Sequence, residues 1–97
     1  MIHHLVWFKM KDGATEADRQ QLAAGLRAMV PQIAEIVELA VGDDFSGRSR
    51  GYEVGLYVKC RSREDLDVYA VHPAHLAFIE GHKHLWQDVQ ALDFESG

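Results

Sequence analysis

The chain has one cysteine and two prolines in 97 residues. A single thiol, Cys60, cannot close an intrachain disulfide, and such usage fits a reducing compartment. Cys60 lies in an apolar run, the setting of a small buried hydrophobe and not of a nucleophile. Cations are also scarce: 10 Lys and Arg stand against 15 Asp and Glu, a formal net charge of -5. Binding nucleic-acid phosphates needs clustered cations, so this balance argues against a nucleic-acid surface. Arg48 and Arg50 follow closely on Asp43 and Asp44 and read as part of a solvated loop. No apolar run approaches the roughly 20 residues of a membrane span. The first residues lack the basic segment of a signal peptide. The expected location is the cytoplasm, with neither a membrane nor a nucleic acid as partner.

What is present is a chain of one-domain length, residues 1–97, with 47% hydrophobic residues, enough for a real core. A domain this small buries a modest share of its surface, and oligomerisation is a common way to bury more.

The pattern of apolar residues sets the order of elements. Ile2 to Met10 is β-branched and aromatic and reads as a strand. Lys11-Asp12-Gly13 breaks it, and Thr15-Glu16-Ala17-Asp18 has the form of a capping box. Leu22, Leu26, Met29 and Ile33 then recur at helical spacing until Pro31 ends or kinks the helix. Ile36 to Val41 reads as a second strand and Asp43 to Gly51 as a hairpin loop. In Tyr52 to Cys60, the residues Tyr52, Val54, Leu56, Val58 and Cys60 share one face by period 2. Ser62-Arg63-Glu64-Asp65 caps a short helix through Tyr69. His72-Pro73 restarts it with Pro73 at the first helical position. Leu76, Phe78 and Ile79 supply its apolar side, and Gly81 is expected to stop it. After a linker over His82 to Asp88, Val89 to Phe94 is the last strand.

The order β-α-β-β-α-β is that of an α+β, ferredoxin-like protomer: a four-stranded antiparallel sheet with its helices on one face. The other face has no helix, yet the first strand has no cleanly polar side, since Leu5 and Trp7 oppose Ile2, Val6 and Phe8. A second copy of the sheet packed on it resolves this, so a homodimer closed as an α+β barrel is expected. Against a wholly apolar interface stand Glu53 and Lys59, which share a face with Gly51, Gly55 and Tyr57.

The chemistry-bearing stretch is Tyr69-Ala70-Val71-His72-Pro73-Ala74-His75. It places a phenol and two imidazoles around one proline-defined turn. These are groups that acid–base chemistry uses near neutral pH. They are equally groups that cap and line a helix. In that plainer reading His72 caps the helix, His75 fills a half-buried slot and Tyr69 satisfies its hydroxyl locally. Gly81-His82-Lys83-His84 adds two histidines at a spacing that suits an exposed loop better than a shared ion, and no metal site is expected. Trp7 and Trp86 read as core or interface anchors.

Three stretches, His4-Leu5-Val6-Trp7-Phe8-Lys9, Gly47-Arg48-Ser49-Arg50-Gly51-Tyr52 and Tyr69 to His75, resemble the Dabb family of stress-responsive dimeric α/β-barrel domains. The ending Asp88-Val89-Gln90-Ala91-Leu92-Asp93-Phe94 is similar to that family's last strand. The resemblance covers nearly the whole chain and implies the dimeric ferredoxin-like barrel already expected. It implies less about function, because some members are stress-induced and others cyclise polyketides by an intramolecular aldol step. In the cyclase type the residues matching Tyr69 and His75 act at the reacting centre, and the residue matching His4 lies near the pocket. On that basis Tyr69 and His75 are the candidate catalytic pair and His4 a ligand contact; His72, in the same turn, is taken as a second candidate ligand contact. The function expected first is binding of a small apolar or aromatic ligand between helices and sheet. The alternatives are acid–base catalysis without a cofactor, as in a polyketide cyclase or a monooxygenase-like enzyme, and a structural dimer with a collapsed pocket.

Overall fold

The computed structural model describes residues 1–97. Its strands are β1 (Ile2–Met10), β2 (Glu38–Asp43), β3 (Val54–Cys60) and β4 (Trp86–Glu95). They form one antiparallel sheet in the order β2-β3-β1-β4, the ferredoxin-like arrangement. The helices are α1 (Glu16–Arg27), α2 (Arg63–Val71) and α3 (Pro73–His82), with single 3-10 turns at Val30–Gln32 and Lys83–Leu85.

Local chemistry explains the helix starts. Thr15 accepts a hydrogen bond from the Asp18 N–H at 3.2 Å, and the Asp18 carboxylate accepts one from the Thr15 N–H at 2.9 Å. Two amide donors that the first turn leaves without helical partners are thereby satisfied. Ser62 caps α2 by accepting a hydrogen bond from the Asp65 N–H, without the reciprocal carboxylate bond. From α1 and its exit, Leu22, Leu26, Met29 and Ile33 are almost fully buried, in one core with Val54, Val58 and Cys60 of β3. The cysteine is therefore a core residue, and burial pushes its thiol pKa up. All helices cover one face of the sheet, and one contiguous core lies between.

Several boundaries differ from the sequence expectation. β2 begins at Glu38, because Ile33 and Ile36 are drawn into the core by a tight turn closed by the Ile36 N–H on the Ile33 carbonyl. β3 begins at Val54; Tyr52 lies in the loop before it and donates its hydroxyl hydrogen bond to Asp88. Gly81 does not stop α3. A glycine ends a helix by adopting positive φ, which Gly81 does not do, whereas Gly13, Gly47 and Gly51 do. The segment expected as a linker is instead the end of α3, a 3-10 turn and the start of β4. Leu76, expected on the apolar side of α3, is 49% exposed, and Phe78 with Ile79 makes the inner face. No helix is long and apolar enough to cross a membrane.

The helix-free face carries Leu5 opposite both Tyr57 and Leu92, and His3 opposite Lys59 and Phe94. His3 stacks between Tyr57 and Phe94, with ring centroids 5.9 and 4.9 Å away. Leu92 and Phe94 remain about half exposed.

His82 is not an exposed loop residue. Its ring stacks on Phe78 at 4.6 Å, and its Nδ1 bonds the Phe78 carbonyl at 2.8 Å. The ring then lies against α1 at Gly25, where a Cβ would collide with it. Gly→Ala inside a helix ordinarily stabilises by about 1 kcal/mol. Here Gly25→Ala is expected to destabilise by about 1–3 kcal/mol, the cost of overpacking. In a His82→Ala background the same change should regain its stabilising sign. A stabilising Gly25→Ala in the unaltered chain, by denaturant unfolding, would contradict this packing.

Candidate functional site

The helix break after Val71 positions the site. Pro73 has no N–H, so the turn cannot continue α2. The His72 N–H bonds the Tyr69 carbonyl at 3.2 Å, and the Ala74 N–H turns to the His72 ring, donating to Nδ1 at 3.0 Å. The Ala70 carbonyl is taken by the His75 ring, Nδ1 to oxygen at 3.0 Å. A carbonyl only accepts, so His75 Nδ1 carries the proton. In the neutral ring, Nε2 then presents a lone pair, and no protein group bonds it.

Tyr69, on the inner side of α2, is 2% exposed, and its ring stacks on His75 at 4.5 Å. Its hydroxyl makes no hydrogen bond to the protein. No fully buried polar side-chain atom lacks a partner, so this hydroxyl opens onto free space. His4, on the helix-covered face of β1, meets the Tyr69 ring edge-on at 5.7 Å. Its Nδ1 bonds the carboxylate of Asp93, the residue paired with it on β4. A carboxylate also only accepts, so His4 too holds its proton on Nδ1 and turns Nε2 away from the strand partner.

The space these groups face is a cavity of about 380 Å³ between sheet and helices. Twelve residues line it, nine of them hydrophobic, including Val6, Phe8, Leu56, Phe78 and Trp86. Tyr69, His75 and His4 are thus brought together on one cavity. His72 does not line this cavity; its Nδ1 caps α3 by accepting from the Ala74 N–H. A collapsed interior is not what the structure holds. No group of three His, Cys, Asp or Glu residues stands together in a metal-binding arrangement.

Burial pulls the two central groups in opposite directions. It pushes the Tyr69 phenol well above its ordinary 10.0, with a smaller contribution from Cys60. It pulls the His75 imidazole below 6.5, against the opposing bond to Ala70 and with smaller help from His4 and His72. Desolvation disfavours whichever form is charged, phenolate in one case and imidazolium in the other. At neutral pH the cavity therefore presents a protonated phenol beside a neutral imidazole.

Two residues that matter were not singled out from the sequence. Asp93 orients His4, and its signal was the strand register that sets β4 opposite β1. Lys83 borders the cavity, and its signal was the stripe His75, Ile79, Lys83 at i, i+4 and i+8.

The geometry fixes a testable state of His75. Nitrogen-detected NMR should find its neutral ring in the Nδ1–H form with a titration midpoint below 6.5. Because the folded ring resists protonation, its contribution to stability is complete above about pH 6.5, the unfolded value. It is lost as the pH falls from there through the lower folded value. An Nε2–H ring, or a midpoint at or above 6.5, would contradict the arrangement.

Comparison with known proteins places this geometry. The family model for the stress responsive A/B barrel domain, Dabb, matches residues 2–96. Olivetolic acid cyclase from Cannabis sativa is 26% identical over 95 residues, covering 96% of this chain and 94% of that protein. A stress-response A/B barrel domain-containing protein of Arabidopsis thaliana is 24% identical over 98 residues, covering 97% of this chain but 46% of its own length. Among solved structures, an Arabidopsis thaliana protein superposes with a TM-score of 0.89 at 23% identity, covering 100% of this chain and 96% of the other. A protein of Thermobifida fusca, described as dimeric and ferredoxin-like with unknown function, superposes with a TM-score of 0.83 at 22% identity, covering 96% and 88%. The match of the family model over nearly every residue, on a fold shared with these structures, shows that the chain belongs to the Dabb family.

Proposed function

We propose that residues 1–97 form one domain that pairs as a homodimer through the helix-free sheet face. In each protomer the cavity binds a small, largely apolar or aromatic carbonyl compound, and Tyr69 and His75 carry out acid–base chemistry on it. The observation that carries this reading is that Tyr69 and His75 stack at 4.5 Å on a mostly apolar cavity, with no protein group bonding the phenol hydroxyl or His75 Nε2. A pocket for passive apolar binding has no need of such a donor and acceptor together.

The chemistry follows from the protonation states. His75 Nε2 takes a proton from the carbon alpha to a carbonyl, which yields an enolate. The enolate carbon attacks a second carbonyl of the same molecule and closes a ring. The Tyr69 phenol gives its proton to the oxygen that becomes negative there, and the imidazolium of His75 returns a proton to the phenolate. Atoms and charge balance with these two side chains alone. Proton transfer by a positioned group contributes about 10²–10⁴-fold to rate. The low polarity of the walls strengthens the Tyr69 hydrogen bond to the developing charge. His4, held by Asp93, steers the substrate or the Tyr69 ring. Olivetolic acid cyclase, a relative along almost its whole length, bears the name of a cyclase, which supports an aldol-type ring closure of a linear polyketide as the reaction to assay first.

With a linear poly-β-keto compound as substrate, Tyr69→Phe and His75→Gln are each expected to lose about 10²–10⁴-fold in turnover. The melting temperature should remain near that of the unaltered protein. The rate should stay level through neutral pH and fall only as the pH drops through the His75 midpoint, which burial holds below 6.5. Ligand binding without turnover, equal in all three proteins, would leave a passive binding domain. For the assembly, light scattering should give about twice the 10.9 kDa of one chain, and Leu5→Asp should dissociate it. A monodisperse monomer of the unaltered chain at micromolar concentration would contradict the dimer.

A further inference from the structure

Side-chain bulk is divided unevenly over the helix-free face. β1 and β4 carry Leu5, Trp7, Leu92 and Phe94, whereas β2 and the start of β3 carry Ala40, Gly42 and Gly55. Gly42 and Gly55 are both exposed and stand opposite each other across the β2–β3 pair. Neither has a positive φ, so neither backbone needs glycine for its conformation. Nothing in the protomer comes within 4 Å of where a Cβ would stand on either one. Glycine inside a strand weakens it, and it marks a place where something outside approaches closely. The groove over this floor has a volume of about 290 Å³ and is walled by Trp7 and by Phe45, which is 100% exposed.

We propose that the groove is a socket for a second copy of the chain, and that the partner's Trp7 fills it. Each indole then stands over the Gly42–Gly55 floor of the other protomer. The inference rests on the sheet-face dimer and deepens it, naming the socket, its occupant and the sense of the two-fold axis.

Symmetry and shape select this pairing. Packed sheets with nearly aligned strands place the two-fold axis either along the strands or across them. An axis across the strands sets each strand over its own copy. Bare then meets bare, bulky meets bulky, and the glycine floor stays empty. An axis along the strands sets β1 and β4 of one protomer over β3 and β2 of the other. The bulky half of each face then covers the bare half of its partner. That rotation keeps the level along the strands, and Trp7, Gly55 and Gly42 share one level by strand register. Within its own protomer the indole N–H donates to Gln90 on β4 at 3.1 Å, which draws the ring away from its own glycines. A large aromatic seated in a pocket is the usual anchor of an interface.

Two variants and their mixture test the proposal by light scattering. Gly55→Val meets nothing within the protomer and suits a strand, so far-UV circular dichroism should not change. In the dimer its branches occupy the space of the partner's indole. The dissociation constant of the dimer should rise about tenfold or more, the cost of overpacking. Trp7→Ala empties the socket and should weaken the dimer to a similar degree. An equimolar mixture of the two should recover a dimer, because the valine of one chain then faces the alanine of the other and the remaining socket is unaltered. If Trp7→Ala loses its circular dichroism, Gly42→Val beside Gly55→Val keeps the test, since both should weaken the dimer. A Gly55→Val chain that dimerises as tightly as the unaltered one would overturn the socket and leave the dimer. Two weakened variants that gain nothing on mixing would overturn the pairing with Trp7. A monomeric unaltered chain would overturn both the socket and the dimer.

Discussion

The candidate site depends on one constraint: Pro73 cannot donate a backbone hydrogen bond. Its ring interrupts what would otherwise be a continuous helix from Arg63 to His82, and the polar groups around the break must find other partners. Two histidines supply them. His72 accepts from the Ala74 N–H, and His75 donates to the Ala70 carbonyl. The cost of breaking a helix is thereby converted into a defined ring orientation. His75 is held with its proton on the backbone side and its lone pair free. The same break sets Tyr69, at the end of α2, and His75, at the start of α3, with their rings stacked. A continuous helix would have left the Ala70 carbonyl to a backbone amide and the His75 ring without its anchor.

Around that break the sheet supplies an apolar enclosure. Phe8 and Trp86 meet at 5.0 Å, and Phe78 reaches Trp86 at 6.1 Å, so aromatic walls close one side. Burial then acts on both central groups at once, holding the phenol protonated and the imidazole neutral. Two groups whose surroundings drive their proton affinities apart are the arrangement from which an acid and a base can be assigned at one pH. His4 belongs to the same construction but is oriented from outside the cavity, by Asp93 on the neighbouring strand.

The fold was legible because strong periodicities carried it. The period-2 run from Val54 to Cys60 and the helical recurrence of Leu22 and Leu26 each bury a continuous face, and Thr15 and Ser62 mark helix starts through bonds that are present. Boundaries were less legible where tertiary contact overrode a local signal. Gly81 reads as a stop, but α3 runs on to His82, whose ring stacks on Phe78 and seats on Gly25. At the site, Tyr69, His75 and His4 could be grouped through the family resemblance, and the structure sets them on one cavity. His72 could not be separated from them by sequence, since a capping imidazole and a ligand-binding one look alike until the Ala74 N–H is located. Asp93 and Lys83 were hidden for a different reason. One acts across a strand pair and the other along a helix rim, and neither stands next to the motif in the chain.

The most direct measurement is a crystal structure of the protein with an alkyl-substituted dihydroxybenzoic acid bound. The expected result is a ligand oxygen or ring carbon in the cavity, within hydrogen-bond or van der Waals reach of both the Tyr69 hydroxyl and His75 Nε2, with His75 Nδ1 still on the Ala70 carbonyl. A ligand bound elsewhere, or a His75 ring turned away from Ala70 to close the cavity, would contradict the reading of these two residues as an acid–base pair.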